Sequence, residues 1–509
     1  MTPITERTEC SLDVEVEREG QSKSPCKGDE FSPATHEPLA LEPLSSPLRE
    51  IAESEASRVP TSAAKKPIAP KAVAIKSPPL KGPIIKDKQC NPVDEAIRRE
   101  ILDKAKPALA SYRGFFDHRG ERWERGGEIR KFAKAQSKMG RSSGDKIAMP
   151  EPVSLHFPGT AAVYKLRREL GAGAFAPVYL VENSAPESET ETGGGAVAVM
   201  GKGSFAIGCR SKLEALKMES PPTSWEFHMM RLAHARLGPQ HRAAASLSYA
   251  HEMHLYQDEA FLFLPYHPHG TLLDVVNLFR TETSGCMDEL LALFLTVELM
   301  RTVEALHSKG ILHGDIKPDN CLLRLDHMTS DQGLSSQWRA DGGGGWSTRG
   351  LVLIDFGRAI DMKAFEPDVE FIADWKTSAQ DCAEMREGRP WTWQIDYHGL
   401  AGTIHCLLFG KYMETARCDQ GGLGKAGRRY RIRESLKRYW QTDLWSDCFE
   451  VLLNPASSAA AEDGGRMPVL RSMKSIRGRM EQWLEANCEK GHGLRSLVAR
   501  LEAHAKSRR

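Results

Sequence analysis

The sequence predicts an α+β protein of two lobes, a small antiparallel sheet lobe carrying one helix and a larger, mostly α-helical lobe, behind a disordered N-terminal arm. Three observations predict it. In VYKLRRELGAGAFAPVYLVEN, alternating apolar residues flank a glycine turn, the pattern of strand, tight loop and strand. A polar cluster, His313-Gly314-Asp315-Ile316-Lys317-Pro318-Asp319-Asn320, is followed further on by Asp355-Phe356-Gly357. Beyond these, LAGTIHCLLFG, WQTDLWSDCFEVLLN and MEQWLEANCEKGHGLRSLVARLEAHAK carry apolar residues at helical spacing, as a helical lobe requires.

Composition narrows the class. The chain has 509 residues, a formal charge of +1 and 40% hydrophobic residues. So neutral a balance predicts neither a nucleic-acid nor a membrane partner. Eleven cysteines occur without a Cys-x-x-Cys pair, which implies neither a zinc site nor a disulfide framework and suits a reducing compartment. The start, MTPITERTECSLDVE, lacks the apolar core of a signal peptide. The most apolar run, Leu290 to Met300, is too short to span a bilayer and contains Glu298. A soluble intracellular protein is expected, and with no internal repeat visible a solenoid is not.

Residues 1–90 form the arm. They are rich in Ser, Pro, Glu and Lys and poor in aromatics, so they cannot bury enough apolar surface to offset ordering entropy. Proline-directed phosphorylation is open to Thr2, Ser24, Ser32, Ser46 and Ser77, each followed by proline. From Lys65 to Lys88 lysines alternate with Pro and Ala, as in a nuclear-import or acidic-partner segment or a solvated linker. Residues 91–155 read as an extension that packs on the folded body. Ile97, Ile101, Leu102 and Leu109 recur at helical spacing, Asn91 and Pro92 resemble a helix start, and residues 130–155 read as basic and irregular. Residues 156–509 then make the two-lobed domain, with loop inserts at about 183–211 and 326–350, both solvated by composition.

The chemistry gathers at a few positions. Gly171, Ala172, Gly173, Ala174, Phe175 and Ala176 form a loop whose backbone closes over nucleotide phosphates, with Val178 covering the adenine. For the anchoring lysine, the strand AVAVM places Met200 where lysine is required and Lys202 out of step. Ala215-Leu216-Lys217 instead supplies a small residue for the adenine pocket and a lysine for the α and β phosphates. Glu226, opening the next helix, is placed to pair with Lys217. AFLFLPYHPHG suits the hinge between lobes, with backbone groups around Phe263, Leu264 and Tyr266 reading the adenine edge. Asp315 is the expected base for a hydroxyl proton, and Lys317 neutralises charge on the moving phosphoryl group. Asn320 and Asp355 are expected to hold Mg²⁺. His313 reads as a buried support, Asp396 as an acceptor for the backbone of this loop, and residues 358–389 as a cover for the substrate cleft.

These residues make an ATP- and Mg²⁺-dependent phosphotransferase constellation. Five stretches resemble the Bub family of mitotic spindle-checkpoint serine/threonine kinases: GAGAFAPVYL, LKMESPPTSWEF, HGTLLDVVN, ILHGDIKPDN and LIDFGRAIDM with the later TSAQDCAEMREGRPWTWQIDYHGLAGTIHCLLFGKYM. The resemblance covers about residues 91–505, and NPVDEAIRREIL resembles the extension that wraps the kinase lobe in that family. It implies a bilobal protein-kinase fold, ATP and Mg²⁺ as cofactors and transfer to Ser or Thr of a protein substrate, with a histone tail as candidate. It also implies checkpoint or kinetochore partners and a place in nucleus and cytoplasm, concentrated at centromeres in mitosis. The tetratricopeptide-type domain that commonly opens family members is not recognisable in residues 1–90. A catalytically inactive scaffold and a generic cytosolic Ser/Thr kinase are the alternatives, though Lys217, Glu226, Asp315, Asn320 and Asp355 are all present. Gly314 stands where most kinases place an arginine that clasps a phosphorylated loop, so a loop ordered by its own packing is expected.

Overall fold

The computed structural model describes residues 82–139, 153–172, 176–185, 210–282, 285–328, 333–418 and 428–507. The proline-directed sites, most of the basic stretch, the Met200/Lys202 alternative and Gly173, Ala174 and Phe175 lie outside the described residues.

Ile84 and Ile85 both donate their amides to the Ala364 carbonyl at 2.8 Å. Strand β1 (Gln89–Cys90) then pairs in parallel with Glu370–Phe371. Ile85 and Cys90 are buried, so the predicted arm ends early and its last residues belong to the folded body. Helix α1 (Glu95–Lys104) is capped by Asp94, whose carboxylate accepts from the amides of Ala96 and Ile97. It starts later than the Asn91-Pro92 signal suggests, because the Asn91 side chain is engaged with the Val93 amide and Asp374. Ile101 is buried, and Ile97 and Leu102 pack against the same core.

Two elements of the extension depart from the sequence reading. Strand β2 (Phe115–His118) joins the main sheet, and α2 (Gly126–Met139) covers the outer face of that sheet through Ile129, Phe132 and Ala133. For residues 130–139 the reading as irregular fails because three core positions at helical spacing are enough for a helix docked on an apolar face, whatever the charge around them; residues 140–152 lie outside the described residues.

The sheet continues with β3 (Ser154–His156), β4 (Val163–Ala172), β5 (Pro177–Asn183), β6 (Leu213–Glu219), β7 (Glu252–Tyr256) and β8 (Ala260–Pro265). Its order is β2-β7-β8-β6-β5-β4-β3, antiparallel throughout except for β2 beside β7. The inner face packs on α3 (Trp225–Leu237). Most of the insert after β5 lies outside the described residues, but its described end is tied into the sheet. Arg210 pairs with the buried Glu214 and Glu252 and donates to the Tyr164 hydroxyl at 2.9 Å.

The second lobe follows: α4 (Leu272–Arg280), α5 (Glu289–Ser308), β9 (Ile311–Leu312), β10 (Cys321–Leu325), β11 (Arg349–Leu353), β12 (Ile360–Asp361), β13 (Glu370–Phe371) and α6 (Ala383–Arg386). Then come α7 (Gln394–Phe409), β14 (Thr415–Cys418), β15 (Arg429–Ile432), α8 (Thr442–Leu453), α9 (Pro455–Ala459), α10 (Leu470–Asn487) and α11 (Leu494–Ser507). The sequence of α5 is apolar nearly all round, and it is buried nearly all round as the centre of this lobe. Among the described residues no helix is long and apolar enough to cross a membrane.

The insert between β10 and β11 also overturns its composition. Trp338 and Trp346 are fully buried, Trp346 meets the Phe294 ring of α5 edge-on at 5.6 Å, and its indole N–H donates to the Gln337 carbonyl. Glycines dominate this stretch because its turns require them, as at Gly345, which has φ +88°. They do not mark it as solvated.

Candidate active site

Strand β6 sets the upper half of the site. Its pleat sends Ala215, Lys217 and Glu219 to one side, and its register puts Lys217 between Val178 of β5 and Leu262 of β8. The Lys217 ammonium donates to Glu226 at 2.6 Å and to Asp355 at 2.8 Å, and Glu219 lies 3.7 Å away. Burial works against its charge, but the three carboxylates outweigh burial and raise its pKa well above the ordinary lysine value. Burial dominates for Glu219, pushing it up to about 8, and raises Glu226 as well. Asp355 is half-buried. The cost of that burial is overcome by the Lys217 charge and hydrogen bond, which hold its carboxyl down at about 2. Glu219 was not singled out in the sequence; its place two residues along the same strand from the lysine was the available signal.

The lower half hangs on Asp396 at the start of α7. Its carboxylate accepts from the amides of His313 at 2.8 Å and Gly314 at 2.7 Å and from His307 Nε2 at 2.9 Å. Burial opposes its charged form, yet the His307 hydrogen bond and the nearby His307 and His313 rings keep the pKa below the ordinary aspartate value. His313 is fully buried, with Nε2 3.0 Å from the Ile354 carbonyl and its ring edge-on to Phe356. So held, the loop brings the Lys317 ammonium to 3.0 Å from Asp315, while Asn320 donates its amide to the Asp315 carboxylate and carbonyl, both at 2.9 Å.

Two backbone positions show why the loop has these residues. Gly314 has φ +77°, and a Cβ there would sit 2.4 Å from the Arg358 carbonyl, so sterics alone exclude an arginine. Asp355 adopts φ 64° without being glycine, a conformation that costs about 1–3 kcal/mol. It is held by the Lys217 bond on one side and by the Phe356 amide donating to Glu226 at 3.2 Å on the other.

The hinge reading needs correction. Phe263 lies inside the sheet, paired with Leu216 and Glu252, and its ring is buried on the outer face against Tyr164 and Phe157. Leu264 is still paired with Ala215. Pro265, paired with Glu214, ends β8, so the stretch beyond the ladder begins only at Tyr266, whose hydroxyl accepts from Arg168 at 3.3 Å. A run of apolar residues does not reveal where a ladder stops, so the prediction started the hinge too early. Gly171 and Ala172 close β4 opposite Val178 and Pro177, while Val178 packs on the main core.

The residues present fit a hard cation shared with phosphate. Asp355 uses one oxygen on Lys217, and Asn320 turns its amide nitrogen to Asp315, which leaves its carbonyl oxygen as the donor a magnesium ion takes. Among the described residues no group of three or more His, Cys, Asp or Glu could hold a metal alone. Two oxygen donors without a protein cage is the arrangement of a site that nucleotide phosphates complete.

A protein kinase domain model matches residues 240–421. A Schizosaccharomyces pombe relative, the spindle assembly checkpoint serine/threonine-protein kinase bub1, is 40% identical over 420 residues. The chain carries a protein kinase domain similar to those of the Bub-family checkpoint kinases. That alignment covers 81% of this chain and 38% of the relative. The mitotic checkpoint serine/threonine-protein kinase BUB1 of Arabidopsis thaliana is 36% identical over 289 residues, 56% of this chain and 51% of its own. The chain thus spans about a third to a half of the curated relatives it matches. The BubR1 kinase domain crystal structure superposes with a TM-score of 0.51 at 24% identity, covering 76% of this chain and 98% of that one, and shares the bilobal fold.

Proposed function

We propose that the chain is a serine/threonine protein kinase that transfers the γ-phosphate of Mg²⁺-bound ATP to protein hydroxyls in mitotic spindle-checkpoint signalling. The observation that carries this reading is the convergence of Lys217 and Glu226 from the sheet lobe with Asp355, Asp315, Lys317 and Asn320 from the helical one. Bound Mg²⁺-ATP supplies the phosphoryl group and the charge that its metal ions neutralise. Lys217, fixed by Glu226, orients the α and β phosphates, and Asp355 and Asn320 offer oxygens to the metal. Asp315 accepts the proton of the incoming Ser or Thr hydroxyl. Its carboxylate is aimed by Asn320 and its charge is balanced by Lys317, which is also placed to meet the phosphoryl oxygens. A histone tail at centromeres is the substrate we favour, with checkpoint or kinetochore proteins as partners and a nuclear and cytoplasmic distribution; these rest on the family resemblance.

The test is Mg²⁺-dependent phosphate transfer to a histone mixture by wild type and Asp315→Asn. A loss of at least ~10²-fold in kcat supports the base and positioning role. Equal incorporation leaves a kinase-fold scaffold that binds partners without acting on them.

A further inference from the structure

The β14–β15 hairpin is fastened to the helical lobe at Tyr430. The Tyr430 amide donates to the Asn454 side-chain oxygen at 2.8 Å, and its carbonyl accepts from the Asn454 amide nitrogen at 2.9 Å. Its hydroxyl donates to Glu387, which also accepts from Arg389 at 2.8 Å and Arg428 at 2.6 Å. Tyr430 and Ile432 are buried, so the hairpin is fixed in orientation as well as in place. Strand alternation then turns Arg429, Arg431 and Arg433 outward in one row. Arg433 stands just past β15, but its amide still donates to the Glu414 carbonyl at 3.0 Å, so the row is continuous.

The three guanidiniums are not equally engaged. Arg429 reaches Glu450 and Arg433 reaches Glu414. Both pairs are largely exposed, and such pairs hold their partners weakly. Arg431, between them, faces Ala416 across the ladder and forms no ion pair among the described residues. Like charges repel at this spacing, and no packing contact of the hairpin calls for the middle one. The face is otherwise level. Opposite residues of an antiparallel ladder share a face, which puts only Cys418 beside Arg429 and Ala416 beside Arg431.

We infer that this outward face docks an extended segment of a partner polypeptide with carboxylates at every second residue, and that Arg431 anchors it. The periods agree, since alternate residues of any strand recur at about 6.4–6.8 Å, and each carboxylate gains a guanidinium fork. The small Cys418 and Ala416 leave room for the partner's backbone. Nucleic acid suits the face less well. Its outward described residues include no aromatic ring on which a base could stack, and three arginines fall short of the phosphate contacts that duplex binding uses. The surface uses none of the residues assigned to nucleotide, metal or acceptor hydroxyl, so it stands apart from the phosphotransfer reading.

The experiment measures binding by fluorescence anisotropy, with the full chain and labelled peptides that lack a phospho-acceptor. One peptide alternates Glu with Gln; a second has the same composition with its Glu residues in a single block; a thymidine oligonucleotide is the third probe. Wild type should bind the alternating peptide at least about 5-fold more tightly than the block peptide, and more weakly as salt rises. Arg431→Glu should weaken the alternating peptide by at least about 10-fold and Arg431→Ala by about 3- to 10-fold, with Tm and the KM for ATP unchanged. Equal affinity for the two peptides, unchanged affinity in Arg431→Glu, or no binding by wild type overturns the inference. Tighter binding of the oligonucleotide than of either peptide overturns the choice of partner and with it the inference. Should Arg431→Glu fail to fold, the loss in Arg431→Ala decides. Because nothing is turned over, an inactive kinase that still selects the alternating peptide would sink the phosphotransfer reading and leave this one standing.

Discussion

At the scale of single residues, Asp396 shows how one buried carboxylate sets the geometry of a loop it does not belong to. Its two oxygens take three hydrogen bonds from His307, His313 and Gly314, and its pKa is depressed in the folded state. A depressed folded pKa means that the unfolded chain takes up the proton first. The stability from this group is therefore fully present above the ordinary aspartate range and is lost as pH falls through and below it. Asp396→Asn should lower Tm at pH 7 and flatten the Tm-versus-pH curve in that acidic window; a parallel curve, merely offset, argues against it. Lys217 and Glu226 were legible from strand character and helix position, and Asp396 from its place before an apolar helix. The steric ban at Gly314 was not, because it arises from Arg358, forty-odd residues away only along the chain and in contact only after folding.

Elements were legible where apolar period matched structure and illegible where composition concealed it. The residues 326–350 insert is rich in Gly and Ser, yet two tryptophans carry it into the core. Trp346→Ala should destabilise the protein by about 3–5 kcal/mol, read as a lowered denaturant midpoint. A change below ~1 kcal/mol would restore the solvated-loop reading. Residues 358–389, read from the sequence as the cover of the substrate cleft, are secured by backbone contacts and a part-buried ion pair. Ala364 accepts from Ile84 and Ile85, the Trp225 indole donates to the Ala359 carbonyl at 2.9 Å, and Arg236 forks onto both oxygens of Asp361 at 2.7 Å. The exposed Lys88–Asp368 pair contributes little. Since this order comes from protein groups, phosphatase-treated protein should phosphorylate histone as well as untreated protein does. Loss of activity traced to residues 358–389 would refute that.

At the scale of the whole molecule, the lobes meet at the residues proposed to position the nucleotide: Lys217 and Glu226 come from the sheet lobe and Asp355 from the helical one. Ligand binding should accordingly stabilise the entire domain. At a hundred-fold excess over Kd, Mg²⁺-ATP adds about 2.7 kcal/mol by mass action. We expect a rise in Tm that disappears on chelation with EDTA and in Lys217→Met; a rise that survives both places the nucleotide elsewhere. The two-lobed plan itself was legible because the glycine turn, the polar cluster and the helical tail each point to one lobe or the seam between them. The extension's share was not, since β2 depends on a partner strand far along the chain and a short apolar run such as Phe115-Phe116 has no period of its own.

That strand has a consequence for solubility. Without residues 82–139, the backbone of Met253 to Tyr256 would stand unpaired at the margin of a long sheet, next to an aromatic face stripped of Trp123, Ile129 and Phe132. Such a margin recruits strands from other molecules. A kinase domain trimmed to its minimal motifs would therefore be prone to self-association, because the extension is what covers that margin in the folded protein.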